Sequence, residues 1–209
     1  MRGSKQEQAH LAYGQDCKIN EMDKDYYPMV LGNLILGANA ISSRLGRMVR
    51  ENKGLVYTLG SILQLGITTG GQFLIVASGK KANADKLKSA IKSALQSFPD
   101  DISEEELQLA KQSLVNSYYV GNFSNNEARA DTLAFLAAKG RDMNFVQNYG
   151  SMINAITLDQ VKTAMKNNID LDNLVEVVVA EDLKVNDQII DTSFDAKKYK
   201  AVAPRSGLR

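Results

Sequence analysis

Ser42-Ser43-Arg44-Leu45-Gly46-Arg47-Met48-Val49-Arg50-Glu51-Asn52-Lys53-Gly54-Leu55-Val56-Tyr57 reads as one helix handing over to one strand. Ser42 or Ser43 supplies the side-chain oxygen that accepts from the free N–H groups of a helix start. The helix runs to about Asn52. Arg50 falls in its last turn, where a cation complements the negative end of the helix dipole. Gly54 suits the left-handed position that stops a helix. A strand follows, from about Leu55 to Leu65, and alternation places Tyr57 on the face of Leu55 and Leu59. That is a position of ordinary sheet packing. A guanidinium and a phenol on either side of one junction are also groups able to hold and polarise a peptide carbonyl.

Outward from this stretch, the pattern is strand, two helices, hairpin, several helices, strand. Gln6 to Gln15 alternates through Ala9, Leu11 and Tyr13 as a first strand. Asp23 or Asp25 opens a helix with Tyr27, Val30, Leu31, Leu34 and Ile35 at helical spacing, ended by Gly37. Gly32 and Gly37 read as close packing and a C-cap. After the Leu55 strand, the cluster Gly66, Thr68, Thr69, Gly70, Gly71 leads to a second strand from about Gln72 to Ser78. So short a connection makes an antiparallel hairpin.

Ala84, Leu87, Ile91, Ala94, Leu95 and Phe98 form one apolar stripe, broken at Pro99. Ser103 with Glu106, and Thr157 with Gln160, are capping boxes that open helices. The first of these helices buries Leu107, Ala110, Leu114 and Tyr118, and the second runs through Met165. Between them lie helices from about Asn126 to Lys139, stopped by Gly140, and from Met143 to Ile156. Leu174 to Ala180 is the last strand, apolar except at Glu176. Helices segregated against an antiparallel sheet define an α+β fold.

The chain has 209 residues, the size of a single domain able to bury roughly 70% of its unfolded surface. Its 25 Lys and Arg balance 24 Asp and Glu, which argues against a nucleic-acid surface or a basic membrane patch. No apolar run reaches the length of a membrane span. Met1-Arg2-Gly3-Ser4 resembles the start of an expression tag, and residues 205–209 a vector tail. The domain is expected over 5–183, with 184–204 a C-terminal extension.

Chemistry-bearing residues are few. Cys17 is the single cysteine and reads as an ordinary strand-end residue. His10 is the single histidine, so no H-x-x-E-H motif exists, and one Cys cannot make a structural zinc site. A Ser-His-Asp triad lacks a nucleophile motif; the simpler reading sets His10 in a sheet with local hydrogen bonds. Gly66, Gly70 and Gly71 join two strands, whereas a phosphate loop leads into a helix. Asn122-Phe123-Ser124 matches a glycosylation sequon too common to weigh.

Several stretches together carry a resemblance. Asp25-Tyr26-Tyr27 opens a helix ending in Leu34-Ile35-Leu36-Gly37; Ser43-Arg44-Leu45 follows, then Arg50-Glu51-Asn52-Lys53-Gly54-Leu55-Val56-Tyr57. Gln8-Ala9-His10 and Ile102-Ser103-Glu104-Glu105-Glu106-Leu107 with Ala110-Lys111 extend it, and the element order fits from about Lys5 to Ala180. This resembles the C-terminal, non-zinc-binding domain of the insulinase/pitrilysin-type (inverzincin) zinc metallopeptidases. One departure is Ala38, where the family often has a second glycine after Gly37.

The resemblance implies an antiparallel sheet packed against several helices, and one half of a zinc endopeptidase that closes on an unfolded peptide. Zinc, its ligands and the general base would belong to a partner domain or subunit, with no cofactor in this chain. Tyr57 would donate a hydrogen bond to the substrate carbonyl or oxyanion, and Arg50 would hold the adjacent peptide backbone. The expected partners are that zinc-bearing domain or subunit and a peptide substrate, with no nucleic acid and no membrane. A homodimer of the isolated domain and the compartment both stay open, with bacterial periplasm or cytoplasm favoured over secretion. The alternative implied by the same resemblance is a non-catalytic scaffold or peptide-binding subunit. An independent hydrolase built on His10 would instead show activity in the presence of a chelator.

Overall fold

A computed structural model describes residues 8–39, 42–51, 56–171 and 174–180, with only the backbone of Val49 and Arg50. The expectations for Gly54, Leu55, both chain ends and the 184–204 extension fall outside these residues.

Among the described residues, four strands form one antiparallel sheet: β1 (Gln8–Cys17), β2 (Val56–Gln64), β3 (Gly71–Lys80) and β4 (Val175–Ala180). Their order is β2-β3-β1-β4, so β2 and β4 are the edges. The β2–β3 pair is the expected hairpin, with Leu59 opposite Ala77 and Leu63 opposite Phe73. β1 lies between β3 and β4, setting Leu11 opposite both Ala77 and Val178.

Alternation makes the two faces unlike. Leu11, Tyr13, Leu59, Phe73, Ile75 and Ala77 point to one face and are buried. Their neighbours Ala12, Leu74 and Val76 are only half-buried, and Ile62, Val175, Val177 and Val179 on that second face are exposed. Among the described residues, helices therefore cover one face of the sheet.

The helices are α1 (Tyr26–Asn33), α2 (Arg44–Glu51), α3 (Ala84–Gln96), α4 (Glu104–Phe123), α5 (Asn126–Ala138), α6 (Met143–Asn154) and α7 (Leu158–Asn168). Both expected capping boxes are formed: Ser103 Oγ accepts from the Glu106 N–H, and Thr157 Oγ1 from the Gln160 N–H. The α3 stripe is buried at Ala84, Leu87, Ile91, Leu95 and Phe98. Gly140 takes a positive φ of 68° just past α5, the backbone that favours glycine.

Three expectations need correction. Gly37 does not cap α1; the chain continues as a π-helical turn, Leu34–Ala38. A Cβ on Gly37 would stand 2.5 Å from the Ser61 N, so the glycine serves the close approach of this turn to β2. Leu114 and Tyr118 on α4 are half-buried, because α5, of which only Leu136 is buried, covers them thinly. His10 is exposed on the open face and makes no side-chain hydrogen bond among the described residues. Cys17 is buried and unbonded at the end of β1, as expected, and burial pushes its thiol up to about 11.

Candidate functional site

The site is built from α2 and the start of β2. Ser43 is the cap: it is buried, and its Oγ accepts from the Gly46 N–H at 3.1 Å. Leu45 on the inner side of α2 is fully buried and anchors the helix to the core. The opposite anchor is ionic. Arg44 grips Glu106 with two parallel bonds, Nε to Oε1 at 2.9 Å and Nη2 to Oε2 at 2.8 Å. Arg44 also pairs with the Asp101 carboxylate and donates to its backbone oxygen at 3.0 Å. Arg47 adds a 3.0 Å bond to Glu106 Oε1.

Glu106 thus serves twice, as the reciprocal member of the α4 capping box and as the point where α4 holds α2. Burial works against its charge, but hydrogen bonds from Arg44, the Ser103 N–H and Arg47 outweigh it and push the carboxyl down to about 2. The Glu106 hydrogen bonds in turn hold Arg44 charged, above its ordinary value. Bidentate pairs of this kind fix orientation as well as energy.

Arg50 lies in the last turn of α2; its side chain is outside the described residues. Tyr57 is the second residue of β2. In the ladder, Val56 pairs with Gly79 and Thr58 with the adjacent Ser78, so Tyr57 has no partner of its own. It is the extra residue of a β-bulge. Leu59 is 7% exposed whereas Tyr57 is 45% exposed. The expected shared face with Leu59 therefore does not hold, because one extra residue resets the alternation. The neighbouring Thr58 is tied across the ladder to Ser78, Oγ1 to Oγ at 2.7 Å. Deeper in β2, Ser61 Oγ donates to Asn33 Oδ1 at 2.6 Å and locks the strand to the end of α1.

Among the described residues no group of three or more His, Cys, Asp and Glu is placed to hold a metal ion, so they do not fit a zinc site. Among them, too, no helix is long and apolar enough to cross a membrane.

Neither the bulge nor the Glu106 clamp was found by sequence reasoning. Arg44 was seen only as part of a motif, and the signal for its role is the pairing of a basic α2 with the acidic first turn of α4. The bulge leaves no local signal.

The described residues form a one-sided antiparallel sheet under a helical layer, an α+β architecture. The comparisons are specific: residues 2–114 match the model of the peptidase M16 inactive domain, and the chain belongs to that family. A relative from Bacillus subtilis (strain 168), described as the uncharacterized zinc protease YmxG, is 29% identical over 164 residues, 77% of this chain and 38% of that protein. The solved peptidase M16 inactive domain from Pseudomonas fluorescens aligns with a TM-score of 0.70 at 24% identity, over 85% of this chain and 43% of that one. The inactive peptidase domain from Bordetella parapertussis aligns with a TM-score of 0.63 at 20% identity, over 82% of this chain and 92% of that one. The chain spans about two fifths of the curated relative it matches.

Proposed function

We propose that this chain is the non-zinc half of a zinc endopeptidase, and that it meets the substrate through Arg50 and Tyr57. The observation that supports this reading is the bulge. A tyrosine packed into the sheet would follow the alternation, whereas Tyr57 stands out of it on an edge strand, 45% exposed. Bulges commonly re-aim a side chain beside an active site.

In this reading α2 carries Arg50 to the junction, and the guanidinium fixes the peptide backbone next to the scissile bond. The Tyr57 hydroxyl donates to the carbonyl oxygen as charge gathers on it, an interaction that strengthens toward the transition state. The clamp of Arg44 and Arg47 on Glu106 holds α2 still while this happens. The metal, its ligands and the base belong to the zinc-bearing half, on the same polypeptide or on a separate subunit.

The test mixes this chain with a zinc-bearing half and follows cleavage of an unfolded peptide. Each half alone is expected to be inactive, the mixture active, and the activity abolished by a chelator. Binding between the halves without cleavage would favour the scaffold reading. Chelator-resistant cleavage by this chain alone would contradict both.

A further inference from the structure

Away from α2 and β2, an aromatic cavity opens among α1, α4, α5 and α6. It measures about 200 Å³, and its lining includes Tyr27, Tyr118, Phe135, Arg141, Phe145 and Tyr149. Tyr118 and Tyr149 stack at 3.7 Å, and Tyr27 and Phe145 each meet Tyr149 edge-on at 5.9 Å. A cavity of about 150 Å³ already accepts a benzene ring.

Two donors in this wall lack a matching acceptor. The Tyr118 hydroxyl is buried and has no hydrogen-bond partner among the described residues, an arrangement that costs stability unless something satisfies it. Arg141 donates to the Tyr27 hydroxyl at 2.9 Å and to the Glu21 backbone oxygen at 3.5 Å, with its guanidinium 4.2 Å from the Phe145 ring centroid. Neither acceptor is charged. The nearby carboxylate of Glu21 is already taken by Lys139 at 2.5 Å. Asn122 and Thr132 bond to one another. The wall therefore offers one unmatched positive charge and one unmatched hydroxyl amid aromatic rings. A second cavity of about 400 Å³ shares Glu21, Tyr27, Arg141 and Phe145; its other charged residues, Asp23 and Lys24, are opposite in sign.

We infer that this is a binding site for an aromatic carboxylate, with the ring among the tyrosines and the carboxylate on Arg141 and the Tyr118 hydroxyl. The source is either the C-terminal aromatic residue of a peptide or a free small acid. The inference does not depend on Arg50 or Tyr57 and is tested on this chain alone.

Calorimetric titration with N-acetyl-L-phenylalanine and with its amide separates charge from ring. The acid is expected to saturate the site, and the amide to bind at least tenfold more weakly, since a charge-assisted bond is lost. Arg141→Gln should erase that difference. Tyr118→Phe should leave the melting temperature unchanged or higher, because it removes an unpaired group, yet weaken the acid severalfold. If Arg141→Gln does not fold, Tyr118→Phe still decides. A hexapeptide ending in phenylalanine that binds tighter than the acetylated residue identifies a chain terminus as the source; equal affinity identifies a free acid. Equal binding of acid and amide, no saturation at millimolar concentration, or unaltered affinity in folded Tyr118→Phe would overturn the site.

Discussion

Tyr57 is exposed because the β2–β3 ladder skips it. Alternation along β2 gave no hint of this, since a bulge is a property of two paired strands and not of one run of residues. The caps were legible for the opposite reason: Ser103 with Glu106 and Thr157 with Gln160 each close within one turn. Gly37 was legible as a special position but not as what it is, because the contact that needs it comes from Ser61, far along the chain. A methyl group there would meet the Ser61 backbone, where little can give. Gly37→Ala is therefore expected to destabilise by about 1–3 kcal/mol, the usual range for overpacking. For a chain of this size the melting temperature would fall about 2–4 °C per kcal/mol. A melting curve unchanged from the parent would show that the π-helical turn moves away freely.

Among the elements, α2 packs on the core through the fully buried Leu45 and the half-buried Met48. The clamp on Glu106 adds an ionic attachment to α4. Its carboxyl titrates near 4.3 when unfolded and at about 2 when folded. The native state therefore binds fewer protons than the unfolded chain in this interval, and the clamp's contribution is complete above about pH 4.3 and fades as pH falls toward 2. Solvent screening keeps that contribution to about 1–2 kcal/mol. Glu106→Gln should lower stability near neutral pH and flatten its acid dependence, read from urea midpoints between pH 5 and pH 2 (roughly the span in which carboxylates titrate). Parallel curves for parent and variant would remove Glu106 from the account. The α3 stripe and the hairpin were plain in the sequence because periodicity records them. The partnership of α2 with α4 was not, since it joins residues about sixty positions apart.

The whole molecule, over its described residues, has one covered sheet face and one open face. The chain spans 38% of its curated relative, and the described helices shield one sheet face while Val175, Val177 and Val179 stand exposed on the other. The family membership was legible in the sequence, carried by the run from Ser43 to Tyr57; which way Tyr57 faces was not. The proposed function is therefore tested by combining this chain with a zinc-bearing half and measuring turnover with Tyr57→Phe in this chain. Loss of one such donor is expected to lower kcat by about 10²–10³-fold, with zinc content and the affinity between the halves unchanged. A kcat equal to that of the parent would contradict the account, whatever the structure of the rest.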